Sequence, residues 1–212
     1  MVEVDLETKV FDRVVRIYQK TAKPVGSKIL SKNFFPDVSS SNLRLVLSRL
    51  VNRRLLENVN FSAGRRPTDR GWRLYFYRKL ERVKNKSNRT KFSAEEFLAD
   101  VAKQTKTYCL VKTGPVIKEC SFVYVLAEPE FKERRMIVDF LAFVEKLKID
   151  LDQIFLNLAE GENKIFIGSE TPISRAEQFF LMIRKNNDQG LIMSGVKRTD
   201  YLKNYSFLDL ID

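Results

Sequence analysis

The sequence predicts an α+β chain in two parts, a basic helical head followed by a half in which helices and strands mix. Three observations carry this. Apolar residues recur at helical spacing through the first fifty residues and then give way to short aromatic and β-branched runs. Pro24, Gly26, Pro36, Gly64, Pro67, Gly114 and Pro115 punctuate the chain between those segments. Charge is divided just as sharply: residues 1–91 hold 22 Lys and Arg against 8 Asp and Glu, a net +14, whereas residues 92–212 hold 16 against 19, a net −3, within a formal +11 for the 212 residues. A length of 212 residues suits one or two domains, each large enough to bury a core.

In the head, residues 5–20 place Val10, Val14 and Ile17, with Phe11, Val15 and Tyr18 beside them, on one helical face. Ser27 can cap a short helix over 28–33 that carries Ile29 and Leu30, and Pro36 closes that unit. Ser39, Ser40 or Ser41 caps the next helix, whose buried stripe is Leu43, Val46 or Leu47, Leu50 and Val51. Residues 55–61 read as a strand, and residues 62–67 as a basic loop in which Arg65 and Arg66 sit between Gly64 and Pro67. Thr68 and Asp69 start a helix bearing Trp72, Tyr75, Phe76 and Leu80, with a second strand over 72–77 as the competing reading. Three helices followed by a strand and a basic loop are the layout of a winged helix-turn-helix over residues 1–81. Residues 82–91 are polar and charged and read as a linker.

In residues 92–212, Ser93-Ala-Glu-Glu96 is a capping-box pattern that predicts a helix over 94–106. Residues 107–112 and 119–126 read as strands, Pro129 opens a long amphipathic helix through Leu147, and residues 151–158 suggest a further short helix. Strands are expected over 164–168, 177–184 and 190–195, with hairpin chemistry at Asn186-Asn-Asp-Gln-Gly190 and a closing helix over 200–211. Glu128 and Glu130 flank Pro129, where carboxylates complement a helix dipole. Phe179, Phe180, Tyr201, Tyr205 and Phe207 read as core or as a dimer seam.

The basic excess and the helix-then-loop motif coincide, which points to duplex DNA as the partner. The candidate contacts are Ser27, Lys28, Ser39, Ser40, Ser41, Asn42, Arg44, Arg49, Arg65, Arg66 and Arg70. Small polar residues at a helix start allow close approach to a groove or a phosphate. Asn42 can read adenine, and Arg44 can read guanine or hold a phosphate. Glycine at the loop tip permits close approach, and two guanidiniums there suit phosphates or a narrow minor groove.

Other chemistry is excluded or unsupported. The chain has no histidine, which removes Cys2His2 zinc sites and any Ser-His or Cys-His pair. Cys109 and Cys120 make no metal cage and read as core residues. No phosphate-cradling, zinc-protease or nucleophile-elbow motif occurs, so no cofactor, metal or enzyme activity is expected. The acidic start lacks the apolar segment of a signal peptide, and no apolar run is long enough for a membrane, so a cytoplasmic protein is expected, nucleoid-associated when bound.

The motifs resemble those of the heat-inducible transcription repressor family HrcA. Lys23-Pro-Val-Gly-Ser-Lys-Ile-Leu-Ser31 is similar to the family's turn and second helix, and Ser39-Ser-Ser-Asn-Leu-Arg44 to the start of its reading helix. Ser62-Ala-Gly-Arg-Arg-Pro-Thr-Asp-Arg-Gly71 with Trp72-Arg-Leu-Tyr75 resembles its wing, which is the most specific match. Glu128-Pro-Glu-Phe131, Ile167-Gly-Ser-Glu170 and the set Gly190, Gly195, Arg198, Asp200 and Tyr201 match shorter landmarks. The resemblance implies a repressor of chaperone genes that binds an inverted-repeat operator, the CIRCE element, as a homodimer supported by the GroE chaperonin. It implies a GAF-like region for residues 92–212, truncated because part of the family's GAF-like sheet and its inserted dimerisation domain, which belong between about Tyr108 and Glu128, are missing. Leu45 and Val46 stand where the family carries Asn and an acidic residue, so the operator differs or these side chains pack. A protein- or RNA-docking module and a metabolite-responsive regulator are the alternatives.

Overall fold

Helix periodicity in the head translates directly into packing. The computed structural model describes residues 2–60, 64–81, 94–187 and 189–209. Its contacts separate into two units, Met1–Arg82 and Val83–Asp212. The expected linker at 82–91 lies outside the described residues, as does Ser93 of the capping pattern.

The first unit runs α1 (Val2–Thr21), α2 (Ser27–Asn33), α3 (Ser40–Asn52), β1 (Leu56–Asn60), β2 (Gly64–Pro67) and α4 (Asp69–Leu80). Val10, Phe11, Val14 and Val15 of α1 meet Leu30 of α2 and Leu43, Val46, Leu47 and Leu50 of α3 in one core closed by Leu55, Leu56, Trp72 and Phe76. Withdrawing each of these larger side chains from water contributes about 1.5–3 kcal/mol before entropy is counted. Of the three candidate serines, Ser39 is the cap of α3: its side chain accepts a hydrogen bond from the Asn42 N–H at 3.2 Å. Ser27 is not a cap. It is the first residue of α2, and Gly26 holds the cap position without a side-chain bond. Thr68 caps α4 by accepting from the Gly71 N–H at 3.0 Å, and burial of Trp72 and Phe76 one turn apart rules out the strand reading of 72–77.

β1 and β2 pair antiparallel, with Glu57 opposite Arg66 and Asn58 opposite Arg65, and the register shifts between Asn58 and Asn60. The basic segment is therefore strand from Gly64 onward, and Arg65 and Arg66 lie within β2 rather than in a loop. Phe61, Ser62 and Ala63 lie outside the described residues.

The second unit begins with α5 (Ala94–Thr105), β3 (Tyr108–Thr113), β4 (Val116–Glu119), the short α6 (Val123–Leu126) and a 3-10 turn at Pro129–Lys132. It continues with α7 (Arg134–Leu156), β5 (Asn163–Ile167), β6 (Phe179–Asn186), β7 (Gln189–Val196) and α8 (Tyr201–Leu208). Its antiparallel sheet has the order β4-β3-β7-β6-β5. Alternate residues of β6 face opposite layers. Phe179 packs on Phe140 and Phe143 of α7 with ring centres 5.0 and 5.5 Å away, while Phe180 meets Tyr201 of α8 at 5.5 Å. Both faces are thus covered, and these aromatics are core.

Three expectations for this half are corrected. Residues 119–126 do not form one strand. β4 ends at Glu119, the Cys120 N–H bonds to the Cys109 carbonyl, and β3 offers little beyond Tyr108 to pair with, so the chain turns into α6. The long helix starts at Arg134 rather than at Pro129, and it absorbs the separate helix expected over 151–158, because Leu151 and Phe155 extend the buried stripe of Leu147. Glu128 and Glu130 sit at the start of the 3-10 turn rather than of the long helix, and both carboxylates also bind Arg198, Glu130 accepting from its Nε at 2.6 Å, while Lys106 lies 3.1 Å from Glu128. Cys109 and Cys120 are buried free thiols.

Candidate nucleic-acid interface

α3 carries no acidic residue, and its solvent side presents Ser41, Asn42, Arg44, Leu45, Ser48, Arg49 and Asn52. This follows from the 3.6-residue period: burying Leu43, Val46, Leu47 and Leu50 turns the intervening residues outward. The Ser48 hydroxyl donates to the Arg44 carbonyl at 3.0 Å, so it folds back on its own helix.

Two ties bring the start of α3, the start of α2 and the hairpin into one neighbourhood. The first is an isolated β-bridge between Val25 and Arg65. Val25 donates its N–H to the Arg65 carbonyl at 2.9 Å, and the Arg65 N–H returns a bond to the Val25 carbonyl at 3.0 Å. The second is a 3.0 Å hydrogen bond between the Ser27 and Ser40 hydroxyls. Val25 and Ser27 are two residues apart, so β2 is linked through the N-terminus of α2 to the N-terminus of α3. Gly64 makes this closeness possible. Its φ is +98°, and a Cβ there would lie 2.8 Å from the Val25 carbonyl carbon. The glycine serves an internal contact, where the sequence suggested an approach to a ligand.

The expected contacts separate on this frame. Lys28, Ser39, Ser41, Asn42 and Arg44 are exposed at or near the joined helix starts, and the half-buried Arg65 is tied to the same place. The Arg65 Nε is buried without a hydrogen-bond partner, and among the described residues no carboxylate pairs with Arg65, Arg44 or Lys28. Ser27 is a correction: it is buried, and with the half-buried Ser40 it braces two helices instead of offering a free hydroxyl. Arg49 reaches back to Glu7 of α1 at 3.7 Å, a carboxylate it shares with Arg53 at 3.0 Å. Arg66 is paired across the hairpin with Glu57 at 2.7 Å. Burial alone would lower its affinity for the proton, but the bond and charge of Glu57 outweigh that and hold the guanidinium above its ordinary range. Arg70 is exposed on α4, whose cap Thr68 donates to the Arg54 carbonyl at 2.7 Å just past the C-terminal end of α3. Arg70 therefore belongs to the other end of α3, about 18 Å along its axis from Ser40.

Two further exposed residues lie on or next to α3. Arg54 has a left-handed φ of 57° directly after α3, and the Arg53-Arg54 doublet marks it in the sequence. Leu45 stands on the outer face, 59% exposed, whereas Val46 packs inside, which divides the two residues that depart from the family pattern.

No family model matches the chain. Among curated proteins it is 26% identical over 198 residues to the heat-inducible transcription repressor HrcA of Lachnoclostridium phytofermentans, which covers 91% of this chain and 54% of that protein. It is 39% identical over 67 residues to HrcA of Clostridium tetani, covering 32% of this chain and 19% of the relative. The chain is similar to the HrcA repressors. It is also 42% identical over 66 residues to HrcA of Syntrophobacter fumaroxidans, covering 31% of this chain and 19% of that protein. The chain spans about half the length, or less, of these HrcA proteins. Likeness to HrcA is uneven, since matches confined to a third of the chain are closer than the one that runs nearly throughout. The fold has a counterpart in the crystal structure of a hypothetical protein, with a TM-score of 0.68 at 18% identity over 97% of this chain and 94% of the other.

Proposed function

We propose that this chain is a sequence-specific DNA-binding transcriptional repressor whose first unit is a winged helix-turn-helix. In this reading residues 1–81 form the DNA-binding domain, 82–91 the linker and 92–212 a GAF-like regulatory and dimerising domain. The observation that carries it is the Arg65–Val25 bridge together with the Ser27–Ser40 bond, which tie the hairpin to the start of α3, where among the described residues no carboxylate pairs with Arg44 or Arg65. A major groove accepts a helix, and the sugar–phosphate edge next to it accepts the hairpin. α3 enters with Ser41, Asn42 and Arg44 toward base edges, Ser39 and Lys28 approach phosphate, and Arg65 holds the backbone beside them.

The names of the relatives support repression as the outcome; an inverted-repeat operator, a homodimer matched to its two-fold symmetry, chaperone genes as targets and a GroE-type chaperonin as modulator are what the resemblance to the family implies. Repression needs no chemistry: occupancy of the operator excludes other proteins from the same DNA. Selection of bound duplexes from a random pool, followed by competition against random duplex at physiological salt, tests this. The expected result is an enriched inverted repeat bound at least about 1,000-fold more tightly than random sequence. Equal affinity for selected and random duplex contradicts it.

A further inference from the structure

Leu45 is anomalous on α3. The other leucines of that helix, Leu43, Leu47 and Leu50, are at most 1% exposed, whereas Leu45 is 59% exposed. At 100° per residue it lies opposite the buried stripe, in line with Ser41 four residues before it and Ser48 and Asn52 after it. Arg44 and Arg49 flank that line. Because the Ser48 hydroxyl is turned onto the Arg44 carbonyl, the isobutyl group of Leu45 is the prominent feature at the centre of the face.

The surroundings identify what such a group suits. A protein-docking patch gathers several apolar side chains. Here Leu45 is the one large apolar residue exposed on α3, ringed by hydroxyls, amides and guanidiniums with no carboxylate among them. A single apolar point within a cationic, hydrogen-bonding ring matches the edge of a thymine in the major groove, where a methyl group projects among acceptors and donors. Leucine can neither donate nor accept, so a cytosine amino group or a guanine carbonyl placed against it would lose water without gaining a partner.

We propose that Leu45 is a specificity-determining residue that reads the 5-methyl group of one thymine per half-site. The proposal rests on the DNA-binding reading above and adds to it the base and the atom recognised. Its test uses the full chain and the duplex selected from the random pool, with each thymine of one half-site replaced in turn by deoxyuridine, which removes only the methyl. The wild-type chain is expected to lose roughly 3–5-fold in affinity at one position, the worth of about one buried methyl group. Leu45→Ala, an exposed change to a strong helix former, is expected to bind more weakly and to show no difference between thymine and uracil at that position. Leu45→Gln is expected to shift the selected base there toward adenine.

Selective binding with no uracil-sensitive position, or with a sensitivity that survives Leu45→Ala, overturns the proposal and leaves the repressor reading standing. Loss of self-association in Leu45→Ala with unchanged DNA binding also overturns it, by assigning Leu45 to a protein interface. If no duplex is preferred over random sequence, the repressor reading fails and takes this proposal with it.

Discussion

Arg65 and Arg66 are neighbours in sequence with opposite prospects as DNA contacts. Arg66 spends its charge on Glu57 across the hairpin, and breaking that exposed pair for a phosphate gains little. Arg65 is half-buried and has no acidic partner among the described residues, so its charge is available to a phosphate. Arg65→Ala should lower the slope of log K against log salt by about 1 and weaken all duplexes alike, while Arg66→Ala should change the slope less. Titrations between about 50 and 200 mM salt check this. Arg44→Ala should act differently, weakening the selected duplex by about 1–3 kcal/mol and relaxing preference at one base pair. Gly64→Ala has an internal consequence. The added methyl meets Val25 backbone in a left-handed conformation, and thermal melting should show a loss of at least about 2 kcal/mol.

Elements whose pattern is local were legible in the sequence, and contacts made at a distance were not. The stripes of α1 and α3 and the Thr68 start of α4 are periodic or capped within a few residues, so their existence and faces follow from the sequence. The Val-Tyr-Val-Leu run at 123–126 has strand-like composition, but a strand needs a partner, and the pairing of β3 with β4 is already spent. The loop reading of residues 62–67 missed that Gly64 answers to Val25, 39 positions earlier. For the same reason the roles of Glu128 and Glu130 waited on Arg198, about 70 residues away. The candidate contacts show the same division: the cap role of Ser39 and the exposure of Arg44 were readable, while the bracing role of Ser27 and the pairing of Arg49 and Arg66 required the fold. At this scale Gly190→Ala tests the packing of β7 beneath α7. Its Cβ would sit 2.2 Å from the Phe155 ring, so melting should reveal a loss of about 1–3 kcal/mol.

For the molecule as a whole, the two units call for separate tests. In the second unit, burial alone would raise the Glu119 carboxyl, but hydrogen bonds from Lys148 and then Tyr108 bring it below its ordinary range. A carboxylate depressed in the fold stabilises above its unfolded value, near pH 4.3, and loses that contribution as pH falls through the folded value. Glu119→Gln should therefore lower the melting temperature at neutral pH, by no more than the equivalent of about 1 kcal/mol given its partial exposure, and the gap from wild type should close in acid. In the first unit, the central claim is that the start of α3 and the β1–β2 hairpin grip one stretch of duplex together. Phosphate-ethylation interference on the selected duplex tests it most directly. The account predicts one contiguous set of sensitive phosphates per half-site bordering a single major groove, with Arg65→Ala erasing phosphates next to the base pairs where Arg44→Ala relaxes preference. Sensitive phosphates on separated faces of the duplex, or a pattern untouched by both substitutions, would contradict it.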